Sequence, residues 1–167
     1  MRTSTDAWGG SLANRARFLR EVVSAVRARV GRDFSLAVKL NSADFQKGGF
    51  AFDESLEVAH WLEEDGIDVL EISGGSYEQP SMMNVDGIEA PEAPRVAASA
   101  REAYFLVFAV ALRNRVTLPL MLTVGFRSAD AMSRAIREDG VSLIGLARPL
   151  CVDPAAPAKL LAGAAAV

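Results

Sequence analysis

Two short segments near the C-terminus carry residue types suited to holding an anion. Thr123-Val124-Gly125-Phe126-Arg127-Ser128 reads as a strand end, a glycine turn and a helix start. Ile144-Gly145-Leu146-Ala147-Arg148-Pro149 reads as a second strand end with an arginine at the turn. Free backbone N–H groups at such turns attract anions. Arg148 adds a planar, permanently charged fork that grips phosphate through two parallel hydrogen bonds. The bland alternative is that the glycines only make turns and Arg148 is a surface charge. The local pattern leaves both open.

Other reactive side chains are few. Glu71 falls on the strand next to the one that carries Lys39, and on the same side. It reads as a catalytic carboxylate or as the ion-pair partner of Lys39. The ion pair is favoured because nothing else acidic converges there. His60 is the single histidine and sits within a helical pattern, so it reads as a surface or packing residue. Cys151 has no recognisable base nearby, which argues against a nucleophile. Tyr77, Met82 and Met83 lie in a long loop, where packing is the simpler role. No residue is assigned to catalysis or to a metal.

Composition bounds the rest. The chain has 167 residues, half of them apolar, and a formal net charge of −3. That balance offers no general attraction for nucleic acid. Arginines such as Arg15, Arg17, Arg20, Arg27 and Arg29 read as a solvated helix face. One cysteine rules out an internal disulfide and a Cys-based zinc site, and a reducing, cytoplasmic compartment is expected. Residues 1–10 have no apolar stretch of the signal-peptide kind. The longest apolar run, residues 104–112, is far short of the ~20 residues a membrane span needs.

The elements that must position these residues follow from periodicity. Leu12, Ala16, Leu19, Val23, Val26 and Val30 lie on one helical face. Ser11 caps that helix and Gly31 ends it. Residues 34–40 read as a strand. Asp53 caps a second helix that closes at Gly66, with Leu56, Ala59 and Leu62 facing inward. Residues 67–73 form a second strand, followed by a loop over about 74–98. Long loops of this kind are usually functional or mobile. A third helix covers about 99–115 and a third strand includes 119–123. Ser128 caps a fourth helix ending at Gly140, and residues 141–145 form a fourth strand. Asp153-Pro154 opens a last helix.

One helix followed by four strand–helix repeats implies a parallel sheet with right-handed crossovers. Two architectures fit: a doubly wound sheet, or part of a (β/α)8 barrel. Strands covered by helices on both faces are apolar on both. Here Lys39 and Asn41 share one face with Ala37, and Glu71 shares one with Ser73. Polar groups on one face near the strands' C-terminal ends suit a barrel mouth. The predicted class is therefore α/β, a partial TIM (β/α)8 barrel.

These segments, in this order, resemble a known family. Arg2-Thr3, then Asp6-Ala7-Trp8-Gly9-Gly10-Ser11-Leu12-Ala13-Asn14-Arg15-Ala16-Arg17-Phe18, looks like the start of the second half of the old yellow enzyme family. These are the FMN-dependent NADH:flavin oxidoreductases and ene-reductases. Lys39-Leu40-Asn41, Leu70-Glu71-Ile72-Ser73-Gly74-Gly75, Arg101-Glu102-Ala103-Tyr104-Phe105, Thr123-Val124-Gly125-Phe126 and Gly145-Leu146-Ala147-Arg148-Pro149-Leu150 follow in that family's order. The resemblance covers nearly the whole chain. It implies a single half-barrel over residues 1–167, strands five to eight, with FMN as cofactor and NAD(P)H as reductant.

By the same resemblance, Lys39 contacts the flavin ring near N1 and O2. Gly125 with Phe126, and Ala147 with Arg148, hold the FMN phosphate. The substrate class is a small activated alkene or enone. Val124 and Ala147 stand where the family commonly has glycine, and each Cβ would crowd the phosphate. In the family a His pair, or His plus Asn, orients the substrate upstream of the Arg2-Thr3 segment. Met1 directly precedes that segment, so the expectation is a chain without the pair, impaired alone. It would work as a homodimer or with a complementary N-terminal half, because a lone half-barrel leaves open strand edges.

Overall fold

A computed structural model describes residues 6–44, 48–74, 105–123 and 125–166. The chain runs α1 (Leu12–Val30), β1 (Ala37–Asn41), α2 (Phe52–Glu64), β2 (Val69–Ser73), α3 (Leu106–Arg113), β3 (Leu120–Leu122), α4 (Ala129–Arg137), β4 (Leu143–Ile144), α5 (Arg148–Val152) and α6 (Ala156–Leu161). The expected loop after β2, with Tyr77, Met82 and Met83, lies outside the described residues. So do Val124 and the first turns expected of the third helix.

The four strands form one parallel sheet in the order β1-β2-β3-β4. A doubly wound sheet reverses its strand order at a switch point. Here the order in space repeats the order in the chain. Right-handed crossovers then place every intervening helix on the same face, which is the arrangement of a (β/α)8 barrel rather than of a doubly wound sheet. The burial pattern agrees. Val38, Leu70, Ile72, Leu120 and Leu122 are buried and pack with Val58, Ala59 and Leu62 of α2 and Ala109 and Leu112 of α3. The opposite face keeps Lys39 and Leu143 exposed and Glu71 and Met121 half-buried. Each leucine fully buried on the helix side contributes about 1.5–3 kcal/mol.

Several element ends differ from expectation. Ser11 caps α1, its Oγ accepting the Asn14 N–H at 3.2 Å, as its sequence position implies. Ser128 caps α4 in the same way, at 3.3 Å from the Ala131 N–H. Helix α2 starts earlier than Asp53: the cap is Ala51, whose N–H is accepted by Glu54 Oε2 at 3.1 Å, and Asp53 sits in the first turn. Val58 of α2 is buried alongside Ala59 and Leu62, whereas Leu56 is only half-buried. The first strand begins at Ala37 rather than at Phe34, whose side chain is 60% exposed. Asp153 does not open a helix directly. Its carboxylate accepts the Ala155 N–H at 3.0 Å across a turn, and α6 starts at Ala156.

The arginines of α1 also need correction. They are not a uniformly solvated face. Arg15 pairs with Glu54 at 2.5 Å, Arg20 grips Asp65 with two hydrogen bonds of 2.6 and 2.7 Å, and Arg27 pairs with Asp68 at 2.5 Å. Arg27 also donates to the carbonyls of Gly31, Phe34 and Gly66. These arginines tie α1 to α2 and to the entry of β2. Arg17 does lie outward, over the Trp8 ring.

Candidate cofactor site

The solvent-facing side of the sheet carries a polar row. Register places Lys39 beside Glu71, Glu71 beside Met121, and Met121 beside Leu143. Lys39 Nζ lies 2.9 Å from Glu71 Oε1. The same oxygen accepts the Thr123 hydroxyl at 2.6 Å. Burial alone would push the Glu71 carboxyl up. The Thr123 hydroxyl and the Lys39 ammonium outweigh it and hold the group below the usual carboxylate range. The ion-pair reading of Glu71 is therefore the one the structure carries.

Beyond this row, at the C-terminal ends of β3 and β4, an open cavity of about 810 Å³ is lined by Lys39, Gly125, Phe126, Ala147 and Arg148. All five residues expected to hold a cofactor thus face one space. Gly125 has a φ of 94°, a conformation that residues with a Cβ rarely adopt. Phe126 is 3% exposed, so its ring anchors the turn in the core. Ala147 has an ordinary negative φ of −124° and is exposed, so its backbone does not require glycine.

Charge completes the picture. Arg127 and Lys159 line the same cavity, as does Thr123. Among the described residues, neither Arg127 nor Arg148 has a carboxylate partner. Lys159 does: its Nζ lies 2.6 Å from Asp153 Oδ2. That contact, with the Ala155 N–H, holds the Asp153 carboxyl below its usual range. The Arg127 and Lys159 contributions were not apparent from the motifs. Arg127 is adjacent to the glycine turn, and that adjacency was the available signal. Lys159 is brought in by α6, outside the strand-end motifs.

The remaining candidates stay apart. His60 projects from α2, half-exposed, 3.8 Å from a Glu63 oxygen and 3.6 Å from a Glu64 oxygen. Cys151 is exposed on α5. Among the described residues, no group of three or more His, Cys, Asp or Glu side chains is placed to hold a metal ion. No described helix is long and apolar enough to cross a membrane.

A one-sided parallel sheet whose strand order repeats the chain order, with a glycine turn at its C-terminal mouth, defines part of a (β/α)8 barrel. The chain belongs to the NADH:flavin oxidoreductase / NADH oxidase family, whose profile matches residues 2–166. It is 41% identical over 155 residues to an NADH-dependent flavin oxidoreductase of Talaromyces variabilis, covering 91% of this chain and 36% of that one. It is 32% identical to a 4,4'-dithiodibutanoate disulfide reductase of Rhodococcus erythropolis, over 89% of this chain and 42% of that one. Among solved structures, a 2-naphthoyl-CoA reductase matches with a TM-score of 0.81 at 31% identity, over 96% of this chain and 23% of that one. An old yellow enzyme homologue from Zymomonas mobilis matches in fold, with a TM-score of 0.68 at 19% identity, over 99% of this chain and 41% of that one. The chain thus spans less than half the length of these relatives.

FMN, with NAD(P)H as reductant, is the cofactor of this family. The residues present fit it. Among the described residues Arg127 and Arg148 have no carboxylate partner and line the same cavity as Lys39 and the Gly125 turn, a set of groups chemically suited to a phosphate and an electron-rich ring.

Proposed function

We propose that this chain is the cofactor-holding half-barrel, residues 1–167, of an FMN-dependent NAD(P)H oxidoreductase acting on small activated alkenes or enones. The observation that carries this reading is the convergence of Lys39, Gly125, Phe126, Ala147 and Arg148 on one cavity. Arg148 would clamp the FMN phosphate, with the Gly125–Phe126 backbone beside it. Lys39 would face the pyrimidine edge of the flavin, where a cation stabilises the negative charge of the reduced ring. The chemistry the cofactor supplies is hydride transfer from NAD(P)H to the alkene. No residue of this chain is assigned to substrate activation, so turnover of an enone such as cyclohexenone by the chain alone should be weak or absent.

Titration of FMN with the purified chain tests this. Flavin fluorescence should be quenched, and riboflavin, which lacks the phosphate, should bind at least about tenfold more weakly, as loss of charge-assisted hydrogen bonds implies. Equal affinity for the two would sink the assignment of Arg148. Cyclohexenone reduction at rates typical of the family would overturn the half-barrel reading.

A second reading, a non-catalytic flavin-binding half that needs a partner, is favoured by the uncovered sheet face, where Leu143 is 44% exposed. It requires a second copy or a complementary half-barrel in solution. A stable monomer by light scattering would count against it.

A further inference from the structure

Two strands and the residues just past two others line up across the polar face. Lys39 on β1 meets Glu71 on β2, and Glu71 meets Thr123 at the end of β3. Gly145, just past β4, meets Thr123 in turn. A Cβ added at Gly145 would overlap Thr123 Oγ1 and come within 2.9 Å of Thr123 Cβ and 2.8 Å of Met121 Cε. The φ of Gly145 is not in the left-handed region, so its backbone conformation does not call for glycine. The space does.

We propose that Glu71 is a positioning residue for Lys39, held in place by Thr123, and that Gly145 lacks a side chain so that the Thr123 hydroxyl can reach Glu71. This rests on the assignment of Lys39 to the flavin made above.

The physical case has three parts. A lysine side chain has four rotatable bonds and a mobile point charge. Lys39 is 52% exposed, so packing alone does not fix its ammonium. A carboxylate 2.9 Å away on the neighbouring strand does, provided the carboxylate itself is fixed. Glu71 is mostly enclosed, 19% exposed, and its Oε1 is pinned by the 2.6 Å hydroxyl contact. Threonine is stiff about χ1, so a β-branched donor on a strand aims better than a serine would. Rotating Thr123 away from a new Cβ at position 145 would take Oγ1 off Glu71. The arrangement also fixes a charge balance. A bound flavin would face an ammonium already paired with a carboxylate, which makes reduction of the ring less favourable than an unpaired lysine would.

The test uses the full chain with E71Q, T123V and G145A. Labelling of lysines by acetic anhydride, read by mass spectrometry, follows Lys39 against Lys159 as an internal reference. Release of a partly exposed ion pair should raise Lys39 labelling about two- to fivefold in each variant. With FMN bound, E71Q should raise the midpoint potential of the flavin. T123V keeps the shape of the side chain and reports if E71Q or G145A fails to fold. Unchanged Lys39 labelling in T123V overturns the inference. Increased labelling with an unchanged flavin potential in E71Q overturns it too, and leaves FMN binding standing. A wild-type chain that does not quench FMN overturns the assignment of Lys39 to the flavin and, with it, the role given to Glu71.

Discussion

Arginine does two different jobs at the two ends of this molecule. On α1, Arg15, Arg20 and Arg27 each find a carboxylate, on Glu54, Asp65 and Asp68. At the strand ends, Arg127 and Arg148 face a cavity with no carboxylate partner among the described residues. The residue type is the same, and what differs is whether the fold supplies the counter-charge. Where it does, the guanidinium is scaffold. Where it does not, the guanidinium is open to an anion from outside, the role proposed above for the FMN phosphate. An unpaired arginine beside a glycine turn is therefore more informative about function than any count of positive residues.

That contrast can be broken at either end. R148A should cost the most, about ten- to a hundredfold in FMN affinity, the worth of a charge-assisted hydrogen-bond pair. Thermal stability should not change, since no hydrogen bond or ion pair of the Arg148 side chain ties down the described residues. Fluorescence quenching and a melting curve on the same sample read both. R27A should do the reverse. It removes contacts to Asp68 and to three backbone carbonyls, and should lower Tm by roughly 3–6 °C in a domain of this size, with FMN affinity intact. If R27A weakened FMN binding and left Tm unchanged, the division between scaffold and site arginines would fail.

Two smaller effects sharpen the same division. R127A should weaken FMN by about two- to fivefold, as expected for one exposed charge contact. The acid limb of stability should belong to the paired carboxylates. Asp68 is held below its usual range by the Leu36 N–H and by Arg27, and Glu71 by Thr123 and Lys39 against the opposing effect of burial. Both are lowered on folding, so their contribution is present above the ordinary carboxylate range, about 4. It is lost as pH falls through the folded-state values. Urea midpoints should be level from pH 7 down to about 5 and fall below about 4. E71Q should flatten part of that fall.

Much of the fold could be read directly because its signals are local. Ser11 and Ser128 each cap a helix by accepting an N–H three residues on, and a capping residue is visible in any sequence. Strand ends were less legible. Phe34 is apolar and adjacent to a strand, yet it is exposed, because pairing with β2 begins only at Ala37. Hydrophobicity marks a candidate strand but does not say where its neighbour starts. Helix α5 escaped notice because five residues are too few to show a period. The pairing of Arg15, Arg20 and Arg27 escaped because their partners lie far along the chain, and only folding brings them together. For the site, the motif glycines and Arg148 were legible as types at fixed spacing. Lys159 was not, since α6 is carried to the cavity by tertiary structure.

The sheet order carries one more consequence. Each strand lies beside the strand made just before it, so every hydrogen-bonded neighbour is already present when the next unit emerges from the ribosome. The chain can then be laid down like courses of brick, each strand–helix unit docking on a finished edge. The last course is the thinnest: β4 pairs with β3 at only two positions. The arginine turn that follows it therefore stands on the narrowest footing, and is expected to order only after the layers beneath it are set.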